Sequence, residues 1–172
     1  MGTVTNIPLF NFSYGEAVDY RDYDVLVLMK DHLDTPRSAY NREIKLAYRN
    51  FQDALILEFD DVNTPNPDAG VKAPTLQDVK KISDFLNAHI DNNILAVCTA
   101  GRSRSGFVSF LADIKRGELE DWRYDPSLGY FNKVRHATPN ALEIRYAVEL
   151  GTIDQAVLDA IPHESFGQNN AN

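Results

Sequence analysis

Ile94-Leu95-Ala96-Val97-Cys98-Thr99-Ala100-Gly101-Arg102-Ser103-Arg104-Ser105-Gly106 contains the only cysteine of the chain. Four apolar residues of strand character end at a thiol. A short loop with a central glycine follows, then an arginine, a serine and an apolar pattern of helical spacing. A run of backbone N–H groups opening into a helix N-terminus is a cradle for phosphate-like oxyanions. Such surroundings favour the thiolate, the form of cysteine that attacks. Each neighbour suits that chemistry. Gly101 permits a tight turn and close approach of backbone to ligand. Arg104 offers a planar fork of donors to phosphoryl oxygens, and Ser105 can donate to a departing thiolate. The competing reading is a structural core cysteine beside a chance arginine, a common fate of free cysteines. The chain has 9 glycines, 10 arginines and 8 serines in 172 residues. Gly, Arg and Ser at the third, sixth and seventh positions after one cysteine then coincide by chance about once in 7,000 trials, so spacing outweighs the core reading.

Beyond this segment, Asp24 to Met29 and Ala54 to Phe59 read as further strands, with Ile94 to Val97 a third. Helical spacing is expected from Tyr40 to Phe51 and from an N-cap at Thr75 to about His89. It is expected again after the cysteine loop as far as Gly117, from Asn140 to Leu150, and from Ile153 to Ile161. Strands alternating with helices predict an α/β fold, a central and largely parallel sheet flanked by helices. In such sheets ligands bind beyond the carboxyl ends of the strands. Cys98 and the acidic loop after Phe59 both lie at such ends. A single domain is expected over 1–166, with a disordered tail over 167–172. The aromatic stretch Trp122, Tyr124, Tyr130 and Phe131 reads as core or interface packing, or as the wall of a pocket for an aromatic phosphoester.

The net charge of −8 disfavours a general nucleic-acid surface, which needs a clustered basic excess. A site for a phosphorylated substrate must therefore be locally positive. One cysteine permits no internal disulfide. With no apolar run of spanning length and no signal-like N-terminus, a cytoplasmic protein that does not engage membranes is expected. No metal-ligand spacing stands out, and the chemistry of the cysteine loop calls for no cofactor.

Cys98-Thr-Ala-Gly-Arg-Ser-Arg-Ser105 resembles the signature loop of the cysteine-based protein phosphatases, most closely that of their dual-specificity branch. Leu57-Glu-Phe-Asp-Asp-Val62 is similar to a segment of small bacterial and phage predicted tyrosine phosphatases in that branch. So, more weakly, is the region from Arg135-His-Ala-Thr-Pro-Asn140 to Arg145. The resemblance spans most of Asp24 to Leu150 and implies the phosphatase fold and a phosphocysteine intermediate. It implies a phosphorylated protein as substrate, carrying phosphotyrosine or also phosphoserine and phosphothreonine. Thr99, Ala100, Gly101, Arg102, Ser103 and Arg104 would bind the phosphate. A leaving oxygen needs a proton, and the resemblance places Asp61 as its donor, with Asp60 the alternative if the register slips by one. The loop from Asn63 to Gly70 would carry that acid as a lid, and Arg135 and Arg145 would support the site. The family usually has histidine immediately before the cysteine; here that residue is Val97. That departure keeps open a phosphoprotein-binding pseudophosphatase, and Arg102 keeps open RNA 5′ ends, nucleotides or phosphoinositides as substrates. A rhodanese-like sulfur-transfer loop is a more distant alternative, being usually shorter.

Overall fold

The computed structural model describes residues 2–15, 18–32, 37–133 and 137–164, with side chains omitted at 37–41. The expected tail at 167–172, together with Arg135 and His136, lies outside the described residues. Four strands form one sheet in the order β1-β4-β2-β3, every pair parallel: β1 Val4–Pro8, β2 Val25–Lys30, β3 Asp53–Glu58 and β4 Ile94–Cys98. The two central strands, β2 and β4, are buried at every residue, and continuous apolar runs are what a strand covered on both faces requires. The expected α/β architecture with a parallel sheet flanked by helices is the one observed.

Alternation along the strands divides the core in two. Val25, Val27 and Met29 of β2, with Ile94, Ala96 and Cys98 of β4, face a large cluster. This cluster is built with α3 (Leu76–Ala88), α4 (Arg104–Arg116), α5 (Ala141–Glu149) and α6 (Gln155–Asp159). Leu26, Leu28, Leu95 and Val97 face the other side and pack with Phe12 of α1 (Leu9–Tyr14) and Ala47 of α2 (Arg37–Asn50). Thr75 and Asp78 make a reciprocal capping box that starts α3 where the sequence places it. Gly117, with φ 74°, ends α4.

Three features depart from the sequence expectation. A short helix, α1, and an edge strand, β1, beside β4 stand where neither was read. The aromatic stretch after α4 is an antiparallel hairpin, β5 Trp122–Asp125 with β6 Tyr130–Lys133. Trp122 is fully buried against Phe110 and donates its indole N–H to Asp113, so its role is packing. Among the described residues no helix is long and apolar enough to cross a membrane.

Candidate active site

All four strands of the sheet deliver residues to one end. β4 ends at Cys98, β2 runs into Asp31, β3 runs through Phe59 into Asp60 and Asp61, and the end of β1 packs beneath Gly101. Gly101 has φ 68°, and a Cβ there would lie 2.6 Å from both the Ile7 carbonyl carbon and the Pro8 nitrogen. Only glycine satisfies both constraints, so the turn of the loop and its seat on β1 depend on one residue.

Cys98, at the end of β4 where the loop begins, is 1% exposed. Its Sγ is 3.3 Å from the hydroxyl of the buried Ser105. Thr99, Ala100 and Arg102 are exposed at the rim. Ser103 occupies the N-cap position of α4 without capping it, because its hydroxyl donates to Asp61 instead. The helix therefore begins beneath the loop with no side-chain cap on its first N–H groups, whose partial positive charge favours an anion.

Arg104 is 2% exposed and almost fully engaged. Nη1 donates to the Phe59 carbonyl at 2.7 Å and pairs with Asp31 Oδ1 at 2.7 Å. Nη2 donates to the Thr99 hydroxyl at 3.0 Å, and that hydroxyl donates to the other Asp31 oxygen at 2.9 Å. Nε alone is buried with no acceptor. An orphaned buried donor costs about 1–3 kcal/mol, more when charged. Asp31 is a residue that sequence reasoning missed. The available signal was a carboxylate immediately after a strand, at the same sheet end as the cysteine.

The two neighbouring aspartates diverge. Asp60 turns away from the cradle: its carboxylate accepts from the backbone N–H groups of Lys72 (2.8 Å) and His32 (3.1 Å). The His32 ring approaches to 2.6 Å, in ion-pair range though off the hydrogen-bond direction. Burial alone would push this carboxyl up, but the Lys72 and His32 N–H groups and the His32 ring together hold it below its ordinary range. Asp61 turns toward the cradle. Its Oδ1 accepts from the Ser103 hydroxyl at 2.7 Å and from Asn140 Nδ2 at 2.8 Å. Asn140 also donates to the Val62 carbonyl and, through its own oxygen, caps α5 at the Glu143 N–H. One amide thus fixes a helix start and the root of the acidic loop. The backbone N–H groups of Thr138 and Asn140 bond the carbonyls of Arg102 and Ser103, lacing the same segment to the cradle.

Glu143, at the start of α5, is fully buried with neither carboxylate oxygen hydrogen-bonded. Burial first, then the negative field of Asp61, pushes its carboxyl well above the ordinary range, while the Arg104 guanidinium opposes the rise. Cys98 adds to the same negative field. Sequence reading passed over Glu143, since a glutamate three residues into a helix ordinarily folds back to its cap. Arg145 lies against the Tyr146 ring and makes no hydrogen bond to the cradle. Val97 points to the opposite side of the sheet from Cys98, into the apolar cluster of α1 and α2. The described histidines are engaged elsewhere: His32 with Asp60, His89 with Asn92 and Asp53, and His163 against Tyr124. No cluster of three or more metal-ligating side chains occurs among the described residues.

No protein-family model and no curated protein matches the chain. Two solved structures share its fold. The crystal structure of Tk-PTP in the active form superposes with a TM-score of 0.52 at 18% identity, covering 87% of this chain and 92% of that one. A human tyrosine phosphatase-like serine/threonine/tyrosine-interacting protein superposes with a TM-score of 0.50 at 13% identity, covering 91% and 93%. At these identities the likeness establishes a phosphatase-like fold.

Proposed function

We propose that this chain is a metal-independent phosphatase that hydrolyses phosphotyrosine in proteins through a phosphocysteine intermediate. The observation that carries the reading is the unpartnered, buried Arg104 Nε, on the first residue of an uncapped helix that begins six residues after the thiol. A fold shared with a tyrosine phosphatase and a tyrosine phosphatase-like protein supports it.

The chemistry runs in two displacements. Cys98 Sγ attacks phosphorus in line, forming an S–P bond as the P–O bond to the tyrosine breaks. Arg104 Nε and the loop amides hold the equatorial oxygens as charge spreads over them. Asp61 gives its proton to the departing phenolate oxygen. As a carboxylate it then takes a proton from water, which attacks the phosphocysteine and releases inorganic phosphate. Ser105 donates to the sulfur as the thiolate departs. Asp31 acts through Arg104, fixing the guanidinium so that Nε rather than Nη1 is presented.

The deciding measurement is vanadate-sensitive hydrolysis of p-nitrophenyl phosphate in EDTA. Turnover that disappears in Cys98→Ser supports the reading. A second reading has its own observation: Cys98 is nearly sealed and Asp31 already neutralises Arg104, an arrangement suited to binding phosphotyrosine without cleaving it. Absence of turnover, with phosphotyrosine-peptide binding that Arg104→Ala abolishes, selects it.

A further inference from the structure

A cavity beside the cradle is left unused by the mechanism above. It measures about 540 Å³, within the range that holds organic ligands, and lies between α1 and the Arg42–Glu43 turn of α2. Thr99, which ties Arg104 to Asp31, forms its inner wall, so cavity and phosphate cradle share a residue. The outer wall is aromatic. Phe10 and Tyr14 are 59% and 60% exposed, with ring centroids 4.7 Å apart. Arg42 holds its guanidinium 4.6 Å over the Tyr14 ring and donates to the Ser13 carbonyl. The cavity also touches Glu43, but that carboxylate is buried and paired with Lys30, so the accessible charge is the cation of Arg42. On a chain of net charge −8, a cation beside two exposed aromatic rings at the edge of an oxyanion site is a local exception.

We propose that this cavity is a specificity subsite for the peptide flanking the phosphorylated residue, taking an aromatic side chain against Phe10 and Tyr14 and a neighbouring acidic side chain on Arg42. The inference rests on the phosphatase-site reading for its anchor, the phosphate in the cradle. The substrate class it names is an acidic phosphopeptide with an aromatic residue next to the phosphotyrosine. Offset or edge-on packing suits the tilted pair of rings, and Arg42 supplies the charge complement.

The test is binding of fluorescent phosphotyrosine peptides to the full chain carrying Cys98→Ser. One peptide has Phe and Glu on both sides of the phosphotyrosine, and the other has glycines. The Phe/Glu peptide is expected to bind about tenfold more tightly. Phe10→Ala and Arg42→Ala should each remove most of that difference, leaving the glycine peptide and, in the Cys98 background, p-nitrophenyl phosphate turnover unchanged. Both side chains are exposed, so unchanged melting temperatures certify folding. Equal affinity for the two peptides overturns the subsite, and so does equal weakening of both by the variants. A nucleoside monophosphate that outcompetes the Phe/Glu peptide and depends on Phe10 also overturns it. If flank discrimination holds while p-nitrophenyl phosphate is not hydrolysed, the catalytic reading falls and the subsite stands.

Discussion

Asp31 and Glu143 are two carboxyl groups at the same site in opposite electrostatic situations. Asp31 faces a buried guanidinium across 2.7 Å and remains partly open to solvent. Replacing it by alanine leaves Arg104 with one partner fewer in a buried setting, a loss of about 1–3 kcal/mol. Asp31→Ala should therefore lower the urea midpoint and reduce kcat more than KM is changed, because the guanidinium loses the contact that aims it. An unchanged midpoint and unchanged kcat would show that the Phe59 carbonyl and Thr99 hydroxyl suffice. Glu143 has no ion-pair or hydrogen-bond partner for its carboxyl, and burial raises its proton affinity in the folded state. The folded chain then holds a proton that the unfolded chain releases above its ordinary value of 4.5, so stability falls as pH rises past that value. Glu143→Gln, neutral at every pH, lacks this penalty. Its melting temperature should match the wild type near pH 4 and exceed it increasingly as pH rises above 4.5. A constant difference across that range would contradict a buried neutral acid.

At the level of elements, the loop between β4 and α4 is the most constrained part of the chain. Gly101→Ala puts a methyl group at positive φ and against the backbone of Ile7 and Pro8. The expected cost is more than about 1 kcal/mol of strain, with loss of vanadate binding as the cradle shifts off β1. Thr75→Ala is the matched control: losing the cap of α3 should cost about 1 kcal/mol and leave vanadate affinity unchanged. These elements were legible in the sequence because local rules specify them: a glycine for the turn, a threonine for the cap, a period of 3.6 for the helices. β1 was not. Val4-Thr-Asn-Ile-Pro8 is short, half polar and ends in proline; it is a strand because β4 offers it an edge. The hairpin β5–β6 was read as packing since its signal is aromatic content, and its pairing across Ser127 to Gly129 is a tertiary outcome. In the site, Cys98, Gly101, Arg104 and Ser105 share one eight-residue stretch of sequence and could be read together. Asp31 reaches it from the end of β2, and Asn140 and Glu143 from the start of α5, which spacing along the chain does not reveal.

For the molecule as a whole, a site assembled from the carboxyl ends of four strands couples ligand binding to global unfolding. An oxyanion that binds only the folded chain stabilises it by about 2.7 kcal/mol at one hundred times its Kd. For a domain of this size each kcal/mol moves the melting temperature by about 2–4 °C, so vanadate should raise it by roughly 5–10 °C. Arg104→Lys should remove most of that rise, because an ammonium cannot present a donor at the Nε position while also satisfying Phe59, Thr99 and Asp31. Asp60→Asn separates the two aspartates. Asp60 is held below its ordinary range by Lys72 and His32, so it stabilises the fold above its unfolded pKa and loses that contribution as pH falls. At neutral pH Asp60→Asn should lower the melting temperature while leaving the vanadate-induced rise and the acid-assisted rate intact. Asp61→Asn should do the reverse, slowing release of a poor leaving group such as tyrosine far more than that of p-nitrophenol. If Asp60→Asn instead slows tyrosine release while Asp61→Asn does not, the proton donor is Asp60, and the contacts of Asp61 with Ser103 and Asn140 serve only to anchor the loop.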